Sequence, residues 1–394
     1  MTEPSAHPAD PPGAAAGPAA GAAAGPAAAD APTAPPPRKR LWRRVILGLF
    51  NTLLVVVLLG LIGWSSLAVF YTDLSIRPPR TIAAAACAVL ALASLIFIRP
   101  RKWGVAVVLL IFLGVLTWFL TRPPLNDREW APEYTRTPSA TLEGDRLTVH
   151  NVRNFEYRGE TDFTPQWYDH TYDLSKLKSV DYILSYWGPT AVAHGMVSFE
   201  FEDDRPLAVS IETRREKHET YSAVEGFFRQ YELIYIFADE RDVLRLRTNF
   251  RNEDVYLYRT RFTPELGRTF LLDYVATANR LAREPDWYNA GTSNCSTNIL
   301  GHLKPHDPRA KFSIWILANG YSAQHAHQNG GLDQGRSFEE LKKLAHINAA
   351  AQAADRDPQF SARIRAGIPE PVAPGSPGSP ASHATTSSAA TVHP

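Results

Sequence analysis

Cysteine is scarce in this chain: two in 394 residues, Cys87 and Cys295. They stand in very different surroundings, Cys87 inside an apolar zone and Cys295 far outside it, so no disulfide joins them and the fold is not stapled. Net charge is almost absent as well. A formal balance of +1 gives no reason to expect DNA or another polyanion as a partner. Charged residues are missing altogether from three stretches, Val45–Thr72, Ile82–Ile98 and Gly104–Leu120. No internal repeat is visible.

The three uncharged stretches match the roughly 20 residues that cross a bilayer's hydrocarbon core. Trp103 and Trp118 sit near the ends of the third, where interfacial aromatics belong. Arg38, Lys39, Arg40, Arg43 and Arg44 precede the first, and Arg99, Arg101 and Lys102 lie between the second and third. Only Arg77 and Arg80 lie between the first two. The positive-inside rule then predicts a cytoplasmic N-terminus, three spans over 45–72, 82–98 and 104–120, and everything later on the periplasmic side of a bacterial inner membrane. Residues 1–44 read as a disordered Ala- and Pro-rich tail with a basic flank, and 369–394 as a second disordered tail. Neither composition can bury enough apolar surface to offset its ordering entropy.

Residues 121–368 read as one exported α+β domain. Strand-like runs are Leu147–Val152, Val180–Tyr186, Val192–Phe201, Leu207–Thr213, Leu233–Phe237 and Val255–Tyr258. A polar turn between Phe201 and Leu207 predicts an antiparallel hairpin. Thr263-Pro264 opens a long helix whose Leu266, Phe270, Leu271, Tyr274, Ala278 and Leu281 form a core stripe. Ser337 and Glu340 make a capping box for another helix.

Cys295 follows the cap-type residues Thr292, Ser293 and Asn294, which predicts a helix from there through Leu303 with the thiol in its first turn. Unpaired N–H groups at that end favour a thiolate and can receive an oxyanion. The plainer alternative is a small buried hydrophobe. A thiolate needs a base, and His194 stands on a predicted strand beside Gly195. With the hairpin centred near Asp204, His194 pairs with Arg214 and Ala208 with Glu200. Glu212 then lies diagonally across from His194 on the same face, where its carboxylate could hold the imidazole. The competing role for Glu212 is to balance Arg214 and Arg215. His302 and His306 have ligand-like spacing, but Pro305 interrupts the helix that would align them. His325 and His327 lack a nearby third ligand. Tyr182, Tyr186, Trp187, Trp287 and Tyr288 flank the two segments and could wall an acyl-chain groove.

Three motifs carry a family resemblance: Tyr-Trp-Gly-Pro-Thr-Ala-Val-Ala-His ending at His194, Ala-Val-Ser-Ile-Glu-Thr-Arg-Arg-Glu through Glu212, and Tyr-Asn-Ala-Gly-Thr-Ser-Asn-Cys-Ser-Thr around Cys295. Together they resemble the periplasmic domain of the bacterial lipoprotein N-acyltransferase Lnb family, from about Asp173 to Ile368. The resemblance implies a permuted papain-like (NlpC/P60-like) domain, with an antiparallel sheet and packed helices, in which histidine precedes cysteine. It implies Cys295 as nucleophile and His194 as base; Glu212 as third member rests on the hairpin register. In this chain the apolar runs come before the domain, whereas the resemblance implies spans after it.

The function expected is a membrane-anchored thiol acyltransferase acting on a membrane lipid or lipoprotein through a thioester, with no metal or diffusible cofactor and no nucleic acid. The alternatives are an NlpC/P60-like cell-wall peptidase or amidase, and a non-catalytic envelope module in which Cys295 would be buried and inert.

Overall fold

The structure is a computed structural model that describes residues 38–71 and 80–372. Expectations about residues 1–37, the first loop around Arg77 and the tail after 372 lie outside the described residues. Three helices come first: α1 (Arg38–Tyr71), α2 (Arg80–Phe97) and α3 (Arg101–Thr121). All three are long and apolar enough to cross a membrane. They begin earlier than the uncharged stretches because Arg43, Arg44, Arg101 and Lys102 continue the helical hydrogen bonding beyond the apolar run.

Two compact units divide the chain, residues 1–57 and 58–394. The described part of the first is the opening half of α1. Within the second, Leu58 and Ile62 pack with Ala91 and Val108. A Cβ at Gly104 would stand 2.5 Å from the Ser94 carbonyl oxygen, so only glycine permits α2 and α3 to approach this closely.

The strands are β1 (Ser139–Glu143), β2 (Arg146–Arg153), β3 (Glu156–Tyr157), β4 (Phe163–Thr164), β5 (Trp167–Asp173), β6 (Leu177–Tyr186), β7 (His194–Phe201), β8 (Leu207–Arg214), β9 (Glu232–Ala238) and β10 (Asp254–Arg259). The main sheet runs β1-β2-β9-β8-β7-β6-β10, with β5 paired to β2. Six strands fall where the runs of apolar and β-branched residues place them. The short or polar β1, β3, β4 and β5 carry no such pattern. The sheet is antiparallel except for one parallel contact, Arg153 to Ala238, between β2 and β9.

Helices cover both faces. They are α4 (Glu240–Arg245), α5 (Pro264–Arg283), α6 (Cys295–Leu303), α7 (Ile314–Leu317), α8 (Ser322–Gln328), α9 (Phe338–Ala345), α10 (Asn348–Ala353) and α11 (Phe360–Arg365). The Thr263 hydroxyl caps α5, and its Phe270, Leu271, Tyr274, Ala278 and Leu281 pack on Val180, Phe199, Val209 and Tyr235. Leu266, expected in the same stripe, is half-buried. On the opposite face Ile183, Met196, Ala208 and Ile236 meet Val243, Leu244, Ala351, Phe360 and Ile364. The domain is therefore α+β, with a core on each side of one sheet.

The β7–β8 register differs from expectation by two residues: Met196 faces Ser210 and Ser198 faces Ala208. The loop centres on Asp203, which takes a left-handed φ of 59°. Pro206, immediately before β8, has no N–H to extend the ladder. A slip of two preserves which face each side chain occupies. Continued by two residues, the observed ladder brings Glu212 directly opposite His194 instead of diagonal to it.

Candidate active site

The sequence around Cys295 folds as its cap residues dictate. Asn294 is the N-cap of α6, accepting from the Thr297 N–H at 2.9 Å while the Thr297 hydroxyl accepts from the Asn294 N–H at 2.9 Å. Cys295 is the first helical residue, as predicted, and is only 5% exposed. Burial alone would push its thiol pKa up. A hydrogen bond and the charge of His194, with help from the Gly195 N–H and the Ser296 hydroxyl, outweigh burial and lower it.

His194 opens β7, and its Nε2 lies 2.7 Å from Ser210 Oγ and 3.3 Å from Glu212 Oε1. Ser210 Oγ donates to Glu212 Oε1 at 2.7 Å. Nε2 is thus taken up by the β8 side chains, which leaves Nδ1 for the thiol. Burial would lower the imidazole pKa, but the Glu212 charge and the bond to Cys295 raise it to about 9. Burial would likewise raise the Glu212 carboxyl. His194, then Arg247 and Ser210, hold it well below the usual carboxylate range.

Arg247 Nη2 donates to Glu212 Oε1 at 2.9 Å. Arg214 and Arg215 bond instead to Tyr134, through its carbonyl and its hydroxyl, so the closest cation to Glu212 is Arg247. Cys295 belongs to the core beneath α5 and α6, whereas Arg247 follows α4 on the other side of the sheet. The site is assembled where the ends of β7 and β8 let the two layers meet.

Asn319 completes it. Its Oδ1 accepts from the Ala193 N–H at 2.8 Å and its Nδ2 donates to the Ala193 carbonyl, which determines the amide orientation. The remaining amide proton points toward Cys295 Sγ, with Nδ2 3.7 Å away. The next residue must be glycine, because a Cβ at Gly320 would stand 1.9 Å from the Thr190 carbonyl oxygen.

Cys295, His194, Glu212, Arg247 and Asn319 all line one cleft of about 550 Å³. Charged side chains line part of it: Arg215, Arg247, Arg251, Glu160 and Glu253. Toward its mouth stand Trp187, Val192, Tyr221, Phe227 and Leu317, each between about 44% and 51% exposed.

Residues 163–318 match the family model of the Lnb N-terminal periplasmic domain. The match contains His194, Glu212 and Cys295, and ends beside Asn319. No curated protein and no solved structure matches the chain. Three helices long and apolar enough to cross a membrane, with a match to a periplasmic-domain family, support a membrane protein with a periplasmic domain.

Ser210, Arg247 and Asn319 were not legible beforehand. Ser210 carried a usable signal, two residues before Glu212 on one face of a strand. Asn319-Gly320 carried only a turn signal, and Arg247 carried none.

Several other residues with possible site chemistry have separate partners in the Lnb-like domain. Tyr235 Oη lies 2.8 Å from His302 Nε2, and His306 Nε2 lies 2.6 Å from Asp273. His327 Nε2 meets the Arg336 carbonyl oxygen at 3.1 Å. Of the flanking aromatics, Trp187 and Tyr288 line the cleft. Tyr182 lines a smaller apolar cavity of about 110 Å³ behind α6. Trp287 donates to the Arg122 carbonyl at 3.2 Å, and Tyr186 donates to the Gly320 carbonyl at 2.5 Å.

Proposed function

We propose that the protein is a thiol acyltransferase of the envelope, acting on the acyl groups of a membrane lipid or lipoprotein. The observation that carries this reading is the thiol of Cys295 against His194, whose far nitrogen meets Ser210 and Glu212. A lowered thiol and a raised imidazole favour the thiolate–imidazolium pair. The thiolate attacks an ester carbonyl and the C–O bond breaks. The departing alkoxide takes the His194 proton and leaves as an alcohol, with the acyl group on sulfur. An amine then attacks the thioester, His194 accepts its proton, and the C–S bond breaks to restore the thiolate. The second Asn319 amide proton and the first N–H groups of α6 would receive the oxyanion.

The charged side chains that line the cleft, Arg215, Arg247, Arg251 and Glu253 among them, favour a second reading, hydrolysis of a cell-wall peptide by the same nucleophile. The low exposure of Cys295 is what a non-catalytic module would share, but its His194 partner and lowered pKa are not. Incubating the purified protein with phospholipid or diacylated lipoprotein, without an amine acceptor, distinguishes the three. Intact mass is expected to show one acyl chain on Cys295 that hydroxylamine removes and Cys295→Ala abolishes. Turnover of peptidoglycan peptides alone selects the hydrolase, and no adduct with no turnover leaves the module.

The orientation belongs to the same proposal: N-terminus cytoplasmic, domain periplasmic, inner membrane. Arg38, Lys39, Arg40, Arg43 and Arg44 at the start of α1, and Arg99, Arg101 and Lys102 where α2 gives way to α3, support it. Alkaline phosphatase fused after Pro124 should be active. An inactive phosphatase there, with a fluorescent cytoplasmic reporter bright at the same point, reverses the topology.

A further inference from the structure

The turn before β9 joins the membrane helices to the cleft. Phe228 is buried among Ala68, Phe119, Tyr71 and Trp118, near the ends of α1 and α3. Its ring stacks on Tyr71 with centroids 5.5 Å apart. Arg229 Nη1 donates to the carbonyls of Phe119 and Leu120 at 2.8 and 3.1 Å, capping the last turn of α3. These contacts hold the turn at the level where the apolar helices end.

The residues just before Phe228 face outward. Tyr221, Val224 and Phe227 are 47%, 49% and 51% exposed. The one charged side chain among residues 221–228, Glu225, turns inward to accept from the Tyr231 hydroxyl at 2.5 Å. On its other side the turn is bound to the nucleophile loop: the Gly226 carbonyl accepts from the Ala290 N–H at 3.0 Å. A Cβ at Gly291 would stand 3.1 Å from the Phe227 ring. Tyr221 and Phe227 line the same cleft as Cys295. One continuous wall therefore runs from the helix ends to the nucleophile.

We propose that this apolar rim, Tyr221, Val224 and Phe227, lies in the interface of the leaflet on the domain's side, so that a bilayer phospholipid delivers its acyl chain into the cleft sideways from the membrane. The surface claim stands on the geometry above; delivery of an acyl chain rests on the acyltransferase reading. Exposed aromatic and aliphatic side chains without charge, at the level of helix ends, are what the membrane interface accommodates. A substrate cut from a water-soluble polymer would gain nothing from such a rim.

Spin labels test the surface. In full-length protein carrying Cys87→Ala and Cys295→Ala in phosphatidylglycerol–phosphatidylethanolamine vesicles, Val224→Cys is labelled and compared with Glu202→Cys on the β7–β8 loop. The label at 224 should collide with dissolved oxygen several-fold more than the one at 202, and with a water-soluble nickel chelate several-fold less. Equal accessibilities at the two sites would overturn the proposal.

Delivery is read in the chain with Cys295 intact. Val224→Asp should lower acylation of Cys295 by vesicle phospholipid about tenfold relative to acylation by a water-soluble short-chain ester. An unchanged ratio overturns delivery from the bilayer. A lipid-exposed label at 224 with no acylation of Cys295 by either donor refutes the acyltransferase reading and leaves the membrane-facing rim. A water-exposed label with normal acylation refutes the rim and leaves the reading.

Discussion

With Cys87→Ala making Cys295 the sole thiol, iodoacetamide is expected to modify Cys295 at pH 6 at least about tenfold faster than it modifies an ordinary thiol. The sign follows from the competing causes. Burial favours the neutral thiol, and the charge and hydrogen bond of His194 win against it. His194→Ala leaves burial as the larger influence, so the advantage at pH 6 should disappear. Acyl transfer should then be bell-shaped in pH. Activity is lost on the acid side as the thiolate is protonated below its ordinary pKa near 9, and on the basic side as His194 loses its proton near 9. Stability follows the histidine in the same direction. A folded pKa raised above 6.5 contributes stability that is complete below 6.5 and lost as the pH rises through about 9. Cys295 alkylating no faster than a free thiol at pH 6, with no adduct from any donor, would end the enzymatic reading.

Glu212→Gln is expected to reduce turnover by about two to four orders of magnitude, because the carboxylate both holds the Ser210–His194 chain and stabilises the imidazolium. The effect should be visible in more than rate. Without the Glu212 charge, the basic limb of the pH profile should move down from near 9. A residue with a purely structural role would leave that limb in place. Folding should suffer too, by about 1–3 kcal/mol, since buried Arg247 loses its nearest carboxylate. Glu253, 3.8 Å from Arg247 Nε, moderates that cost. Ser210→Ala tests the intermediate link: turnover should fall roughly ten- to a hundredfold, with stability closer to wild type. Turnover within twofold of wild type for Glu212→Gln, with an unmoved basic limb, would assign the orientation of His194 to Ser210 alone.

Ser198 is the other hydroxyl on that strand face, and its surroundings show why it cannot substitute. Its Oγ donates to Glu240 at 2.6 Å, inside a buried cluster in which Arg365 bonds both Glu240 and Asp181. Strand alternation puts Ser198 on the same face as His194, four residues along, but neighbouring elements have claimed it.

The contrast between β7–β8 and the residues that serve it shows where sequence is informative. The face shared by His194 and Glu212 could be read from two-residue alternation, and that conclusion survived a register error because the error was an even number of residues. The cap residues before Cys295 set the start of α6 because an N-cap is a contact between residues three apart. The three apolar helices follow from uncharged runs of sufficient length.

Arg247 reaches Glu212 across 35 positions, from the layer opposite that of Cys295. Asn319 reaches Ala193 across 126, through a loop whose path depends on Gly320. The anchoring of Phe228 and Arg229 to the ends of α1 and α3 spans more than a hundred positions. Periodicity, capping and apolar length act within a few residues and are written in local sequence. The partners that fix the imidazole, aim an amide at the thiol and tie the cleft wall to the helix ends are chosen by packing between distant segments. Only the folded chain brings those segments together.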